Sequence, residues 1–270
     1  METAAQAEVR VNEDVLLRRD EAGIATLTLN RPDKFNALSV ALLAALKREL
    51  DAIAADRSVR VVVLEGSGKA FCAGHDLKEM RENPSPEQIR ALFDQCAQVM
   101  LGVTRIPQPV LARVHGVATA AGCQLVATCD LAIASERARF AVSGVNLGLF
   151  CSTPMVALSR VMGRKRAMEM LVTGEFIGAE TARDWGLVNR VVPHERLDEA
   201  VAELAATIAA KSPAAVAIGK GLFYRQLEQG VEAAYAAASE AMTCNMLTED
   251  AAAGIDAFVG KQPPPKWTGR

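Results

Sequence analysis

Two short stretches of small residues carry the groups through which this 270-residue chain can act on a ligand. They are Lys69-Ala-Phe-Cys-Ala-Gly-His-Asp-Leu-Lys-Glu79 and Ala118-Thr-Ala-Ala-Gly-Cys-Gln-Leu-Val-Ala-Thr-Cys-Asp130. Each follows a β-branched run, Val59 to Glu65 and Pro109 to Val114, closed by Gly66-Ser-Gly68 and His115-Gly116, so each loop leaves a strand end. In the first, Asp76 sits three residues before Glu79, the spacing by which two side chains satisfy the amides of a helix start. Ala70, Cys72, Ala73 and Gly74 are small enough for a ligand to touch the backbone. In the second, Ala120-Ala121-Gly122 opens a helix whose unpaired amides carry partial positive charge. Two amides from separate strand ends can grip one carbonyl oxygen and stabilise charge that moves onto it, by about 3 to 4 kcal/mol per donor.

The elements that must position these loops are legible around them. Strands are expected at Val15 to Arg18, Ile24 to Leu29, Val59 to Glu65, Pro109 to Val114 and Leu131 to Ala134. A helix capped by Ser39 runs to about Asp56, another starts at Ser85-Pro86, and a third is expected after Thr153-Pro154. Strands separated by helices point to repeated ββα units in an α/β fold. No Gly-x-Gly-x-x-Gly pattern follows any strand, which argues against a dinucleotide site. After Pro193 the composition changes: alanine-rich amphipathic helices are expected over Glu195 to Lys211, Pro213 to Glu228, Val231 to Asn245 and Thr248 to Gly260. The domain reading is a disordered leader over 1–12, a core over 13–194, a helical region over 195–262 and an extended tail over 263–270.

With Leu29-Asn-Arg-Pro-Asp-Lys-Phe-Asn-Ala-Leu38, the two loops and Thr173-Gly-Glu-Phe-Ile-Gly-Ala-Glu-Thr-Ala-Arg-Asp-Trp-Gly-Leu-Val188 in this order, the chain resembles the enoyl-CoA hydratase/isomerase, or crotonase, family from about Val15 to Val259. Ala-Ala-Gly-Cys-Gln-Leu, Gly-Val-Asn-Leu-Gly-Leu-Phe-Cys-Ser-Thr-Pro and Gly-His-Asp-Leu-Lys-Glu are similar to its enoyl-CoA hydratase domain-containing branch, whose mitochondrial members also lack the two glutamates discussed next. The resemblance implies a crotonase (ClpP-like) spiral of ββα units, a C-terminal helical region that trimerises, and an acyl-CoA thioester ligand. It places the oxyanion-hole amides on Cys72 and Ala121. It also places the ligand against Lys34, Ala37, Leu38, Ala70, Ala73, Gly74, His75, Asp76, Leu77, Ala120, Leu147 and Ser152. Coenzyme A is then part of the substrate; no separate cofactor and no metal are expected.

The resemblance also assigns two catalytic glutamates, and here these positions hold Gln124 and Gly144. Adding water to an enoyl double bond requires a group that takes a proton and a group that gives one, each contributing about 10² to 10⁴-fold. A glutamine amide orients water but does not exchange that proton near neutral pH. Ordinary hydratase turnover is therefore expected to be lost or very slow. Substitutes are few. His75 titrates in the useful range, but the simpler reading puts it beside coenzyme A or in solvent. Glu79 and Asp76 are claimed by the helix start. Cys72, Cys123 and Cys151 offer thiolate chemistry, yet buried thiols are ordinary core residues. Ser152, in the region where a dienoyl-CoA isomerase of the family has an aspartate, has no visible base. Asn146 is not a base, and Glu136 with Arg137 and Arg139 reads as a solvated connection.

Composition narrows the remaining classes. Thirty basic against 32 acidic side chains, a formal charge of −2, leave no electrostatic footprint for nucleic acid. Half the residues are hydrophobic but only 4% aromatic, so Ala, Val and Leu must fill the core. Six cysteines and three histidines show neither zinc spacing nor a disulfide framework. No stretch approaches the roughly 20 apolar residues that cross a bilayer, and the early glutamates oppose a transit peptide; a cytoplasmic location is the expectation. Partners are expected to be an acyl-CoA thioester and further copies of the chain, as a homotrimer or dimer of trimers. Tyr224, Tyr235, Phe223 and Phe258 are expected in the core or subunit contacts, and Lys220 and Lys261 on the surface, in reach of coenzyme A phosphates. Acyl-chain length turns on packing around Phe93, Met100 and Phe150. Three functional readings stay open: an enzyme using the oxyanion hole with another base, for isomerisation, thioester hydrolysis or decarboxylation; a slow hydratase with water on Gln124; and a non-catalytic acyl-CoA binder.

Overall fold

The computed structural model describes residues 9–12, 15–82 and 84–270. β2 (Leu16–Glu21) and β3 (Ile24–Leu29), the latter with burial alternating residue by residue, form an antiparallel pair, and β1 (Val9–Asn12) pairs antiparallel with β2. Val9–Asn12 is thus strand where a disordered leader was expected; residues 1–8 lie outside the described residues. The β-branched runs become β4 (Val61–Gly66), β6 (Val110–Val114), β8 (Leu131–Ser135) and β11 (Arg190–Val192), all parallel, in a seven-stranded sheet of order β1-β2-β3-β4-β6-β8-β11. A second sheet, β10-β9-β7-β5, is built from β5 (Ala70–Cys72), β7 (Val117–Thr119), β9 (Arg139–Ala141) and β10 (Ile177–Gly178).

Each of β4, β6 and β8 is followed by a strand of the small sheet and then by helix. The helices are α2 (Leu77–Glu82) with α3 (Pro86–Arg105), α4 (Ala121–Thr128), and α5 (Ser152–Val161) with α6 (Arg164–Thr173). This is the expected ββα spiral. Ser39 caps α1 (Val40–Ala55) by accepting from the Leu42 amide at 3.1 Å, and Ser85 caps α3 at 3.2 Å. The cap expected at Thr153 is absent: α5 starts at Ser152, after Cys151, which makes no side-chain cap.

Period-2 packing splits the core. Val62 and Leu64 face the main cluster with α1 and α3, while Val61, Val63, Leu111 and Ile133 meet Leu197, Val201 and Ala205 of α8 (Leu197–Ala209) on the opposite side. The chain passes through α7 (Ala179–Asp184) into β11 and α8, then α9 (Pro213–Leu227), α10 (Val231–Met246) and α11 (Glu249–Val259). No single helix among the described residues is long and apolar enough to cross a membrane. Residues 263–270 form neither helix nor strand and are tied down: Trp267 donates to the Ala210 carbonyl at 2.8 Å, and buried Asp250 accepts from the amides of Thr268 and Gly269 and from the Ser212 hydroxyl.

Lys220 is not on the surface. Its ammonium is buried under α9 and donates to the Val103 and Gln108 carbonyls at 2.8 Å and to Asp130 at 2.6 Å. Asp130 also accepts from Tyr224 at 2.7 Å and from the Val110 amide at 2.6 Å, so one carboxylate joins α9 to the start of β6. Burial pulls the Lys220 pKa down, against the opposing field of Asp130. Lys220 therefore anchors α9 to the core and has no reach to a phosphate. Removing one member of a buried ion pair strands the other. Lys220→Met is expected to lower unfolding free energy by about 3 to 5 kcal/mol in urea titration; a loss below about 1 kcal/mol, the value of an exposed pair, contradicts this role.

Candidate functional site

Three loops are stitched together at the ends of β3, β4 and β6. Asn36 is fully buried with a left-handed backbone (φ 55), and its side-chain amide donates to the Ser67 and Ala70 carbonyls, both at 2.8 Å, while its oxygen accepts from the Arg31 amide at 2.9 Å. The Arg31 guanidinium donates to the Ala37 carbonyl at 2.6 Å and pairs with Asp76 at 2.9 Å. Burial alone would raise the Asp76 pKa, but Arg31 and the amides of Glu79 and Lys78 hold it below its ordinary value. Sequence reasoning gave no role to Arg31 or Asn36; the signal available was their place in the Leu29–Leu38 motif. Asp76 caps α2 as expected, through the Lys78 and Glu79 amides at 3.2 and 3.4 Å. Glu79 does not complete that cap: its carboxylate accepts from the Val40 amide at 3.0 Å, at the start of α1.

The main chain of the first loop is committed amide by amide. Ala73 donates to the Phe35 carbonyl at 3.0 Å, the Gly74 amide points at the Cys72 thiol, and Asp76 donates to the Leu38 carbonyl at 3.2 Å. Leu38 donates to the Gly74 carbonyl at 2.7 Å, which makes Leu38 and His75 a parallel bridge. In such a bridge the His75 amide points away from Leu38, and among the described residues it donates to no protein acceptor. The amide expected in this role, that of Cys72, lies in a different part of the loop. Cys72 is fully buried inside β5, with its carbonyl pressed against Gly122, whereas the loop amide left outward is that of His75.

The second loop supplies the facing amide. Ala121 begins α4, and its N–H has no acceptor within the helix. The preceding Ala120 is held at φ 50, ψ −120, a conformation that costs a non-glycine residue about 1 to 3 kcal/mol and that aims the helix start. Gly74 (φ 92) lies against this turn: a Cβ there would meet the Ala120 Cβ at 2.9 Å and the Ala121 nitrogen at 3.2 Å. The two outward amides thus belong to residues on either side of one glycine-lined seam.

Of the remaining expected ligand contacts, Ala37, Leu38, Ala70, Ala73, Gly74, Asp76 and Ala120 lie in or beside this stitched region. Lys34, Leu77, Leu147 and Ser152 are exposed on its surroundings. His75 is half-buried: both ring nitrogens are enclosed, the Leu38 carbonyl facing the ring, and the ring meets Phe93 edge-on with centroids 5.4 Å apart. Burial lowers its pKa. Gln124 is buried one helical turn after Ala121, and its Oε1 has no partner. Gly144 is not a vacancy awaiting a carboxylate, because a Cβ there would lie 2.5 Å from the Leu149 carbonyl and 2.8 Å from Cys151 Sγ. Asn146 is tied to the Gly174 carbonyl, and Glu136 is exposed. A cleft between α2 and α3, lined by Val40, Met80, Ile89, Leu92 and Gln95, opens alongside.

The thiols are core residues. Burial pushes Cys72, Cys96 and Cys123 up to about 12 and raises Cys129 and Cys151 as well, so none is a thiolate near neutral pH; Cys244 alone is exposed. Iodoacetamide at pH 8 is expected to label the native protein at Cys244 and to reach all six cysteines only after unfolding. Rapid native labelling of Cys123 or Cys151, read by peptide mass spectrometry, contradicts the assignment of these thiols to packing.

Residues 19–270 match the enoyl-CoA hydratase/isomerase family. The chain is 44% identical over 242 residues to human enoyl-CoA hydratase domain-containing protein 3, mitochondrial, covering 90% of this chain and 80% of that protein. It is 36% identical to 2,3-dehydroadipyl-CoA hydratase of Escherichia coli over 89% of this chain and 94% of the relative. Its fold is similar to a solved enoyl-CoA hydratase from Mycobacterium smegmatis, with TM-score 0.92 and 60% identity over 94% of this chain and 99% of the other. The expected cytoplasmic location is corrected by these relatives, since the rat, mouse, frog and human proteins at 43 to 44% identity are all named mitochondrial. The stitched loops, the ββα spiral and the match along nearly the whole sequence lead to one conclusion: the chain belongs to the enoyl-CoA hydratase/isomerase family.

Proposed function

We propose that this protein binds an acyl-CoA thioester and acts at the carbon beside its carbonyl, with the thioester oxygen held by the His75 and Ala121 amides. The observation that carries this reading is the pair of outward amides on the two sides of Gly74. They give an oxyanion the stabilisation that acyl-CoA chemistry needs, with no side-chain donor required. The acyl chain is directed toward the cleft between α2 and α3, past Phe93. Relatives named for CoA-ester hydration support the ligand class.

Ordinary hydration is disfavoured by the same geometry. Gln124 offers no exchangeable proton near neutral pH, and the Leu149–Cys151 turn fills the space a side chain at Gly144 would take. The helical C-terminal region carries exposed Val231, Tyr235, Met242, Leu247, Phe258 and Val259, an apolar surface that supports assembly into a homotrimer or dimer of trimers. Sedimentation is expected to show three or six copies; a monomer at micromolar concentration contradicts this.

The functional test incubates the protein with saturated, enoyl, dienoyl and malonyl-type CoA esters, with products followed by mass spectrometry and binding titrated in parallel. Saturable binding with crotonyl-CoA hydration at least about 100-fold below that of an enzyme with both acids is expected. Fast hydration contradicts the reading of Gln124 and Gly144, and absence of binding to every ester contradicts the acyl-CoA reading. Binding without any product favours a non-catalytic binder.

A further inference from the structure

His75 holds two buried ring nitrogens, neither of which completes a hydrogen bond. A neutral imidazole has one N–H and one lone-pair nitrogen; the Leu38 carbonyl lies close enough to draw on the N–H, and the lone-pair nitrogen is enclosed with no donor. Folded proteins satisfy nearly all such groups, and an exception points to a partner that arrives in function. The ring is not loose: Phe93 packs on it, and its backbone is bridged to Leu38 from both sides, at 2.7 and 3.2 Å.

Its placement gives the lone-pair nitrogen a target. The His75 amide is one of the two proposed to hold the thioester oxygen, and covalent geometry keeps the ring nitrogens within about 3 to 5 Å of that amide. An oxygen bound there at about 2.9 Å brings its acyl α-carbon into the same neighbourhood. The charged groups nearby are already engaged: Asp76 with Arg31, and Glu79 with the Val40 amide. On α3, the flanking Asp94 is exposed. No fixed charge therefore drives the ring to the imidazolium, and burial, outweighing the Leu38 carbonyl, favours the neutral form that can accept a proton.

Resting on the acyl-CoA reading above, we propose that His75 is a catalytic base that removes a proton from the α-carbon of the bound thioester. The C–H electron pair moves into the carbonyl, the enolate oxygen rests on the His75 and Ala121 amides, and the imidazolium returns the proton. When the imidazolium N–H trades its proton for one from solvent before the return, reprotonation at the α-carbon labels a saturated ester; return to the γ-carbon of a 3-enoyl ester gives the conjugated 2-enoyl isomer. The step needs neither of the missing carboxylates and no co-reactant.

The test incubates the intact protein with butyryl-CoA in D₂O and follows α-deuteration by mass spectrometry, with binding titrated beside it, for the wild type, His75→Gln and His75→Phe. Glutamine keeps a donor and an acceptor but has no basic nitrogen, and phenylalanine keeps the ring packing on Phe93. Both variants are expected to lose exchange by at least about 100-fold while butyryl-CoA affinity changes by less than about threefold. Exchange within about threefold of wild type in either folded variant overturns the proposal, as does a wild type that binds butyryl-CoA without exchanging it. A wild type that does not bind butyryl-CoA overturns the acyl-CoA reading and, with it, this role for His75.

Discussion

The site depends on how closely two backbones approach. The Cys72 carbonyl lies so near Gly122 that a side-chain carbon at residue 122 would overlap it, and Gly74 sits against the Ala120 turn with no room for a methyl group. These contacts bring the end of β5 and the start of α4 into direct backbone contact, the arrangement that the proposed pair of amides needs. Elsewhere the fold is arranged to hold that seam rigid. Asn36 ties the 31–38 loop to residues 67 and 70, Arg31 ties it to Asp76, and Leu38 fixes both sides of His75. A buried polar network of this kind is costly if any member is unpaired, and here every Asn36 side-chain atom that can bond does so. The strain at Ala120, a left-handed alanine where glycine is the easy choice, is sustained by the same packing.

Within this frame the chemistry is uneven. On the proposed reading, backbone amides supply the electrophilic half of an acyl-CoA site, while the two positions at which the family resemblance places carboxylates hold Gln124 and Gly144. Gly144 also lacks room for such a side chain, since the turn at Leu149 to Cys151 packs directly beside it. What the seam does contain is two polar side chains with enclosed atoms of unmet hydrogen-bonding capacity, Gln124 and His75. They flank the proposed oxyanion amides, whereas His115, whose Nε2 meets the Gly68 carbonyl at 3.0 Å and whose Nδ1 is likewise without a partner, does not.

Much of the fold was legible in the sequence because its longer elements obey local rules. Ile24 to Leu29 alternates, Val61 to Leu64 is β-branched and doubly buried, and Ser39, Ser85 and Thr248 announce helices that begin where they point. The second sheet was not read, since strands of two or three residues such as β5 and β10 carry no periodicity and exist through pairing alone. The site was legible to the level of its loops, not its atoms. Small residues announced the seam, but which amide faces it is set by the bridge between Leu38 and His75, a contact between residues far apart in sequence. Lys220 was misread for a similar reason: an alanine-rich helix does not disclose that one lysine on it will meet Asp130 across ninety residues of chain.

The central claim, that His75 rather than Cys72 supplies the first oxyanion amide, is open to a direct spectroscopic measurement. The chain has three histidines and six cysteines, so selective ¹⁵N labelling of either type gives a spectrum that can be assigned peak by peak. Titration with butyryl-CoA is predicted to move the His75 amide proton downfield and saturably, with His115, His194 and Cys72 little changed. A saturable downfield shift of Cys72 with His75 unmoved would contradict the account.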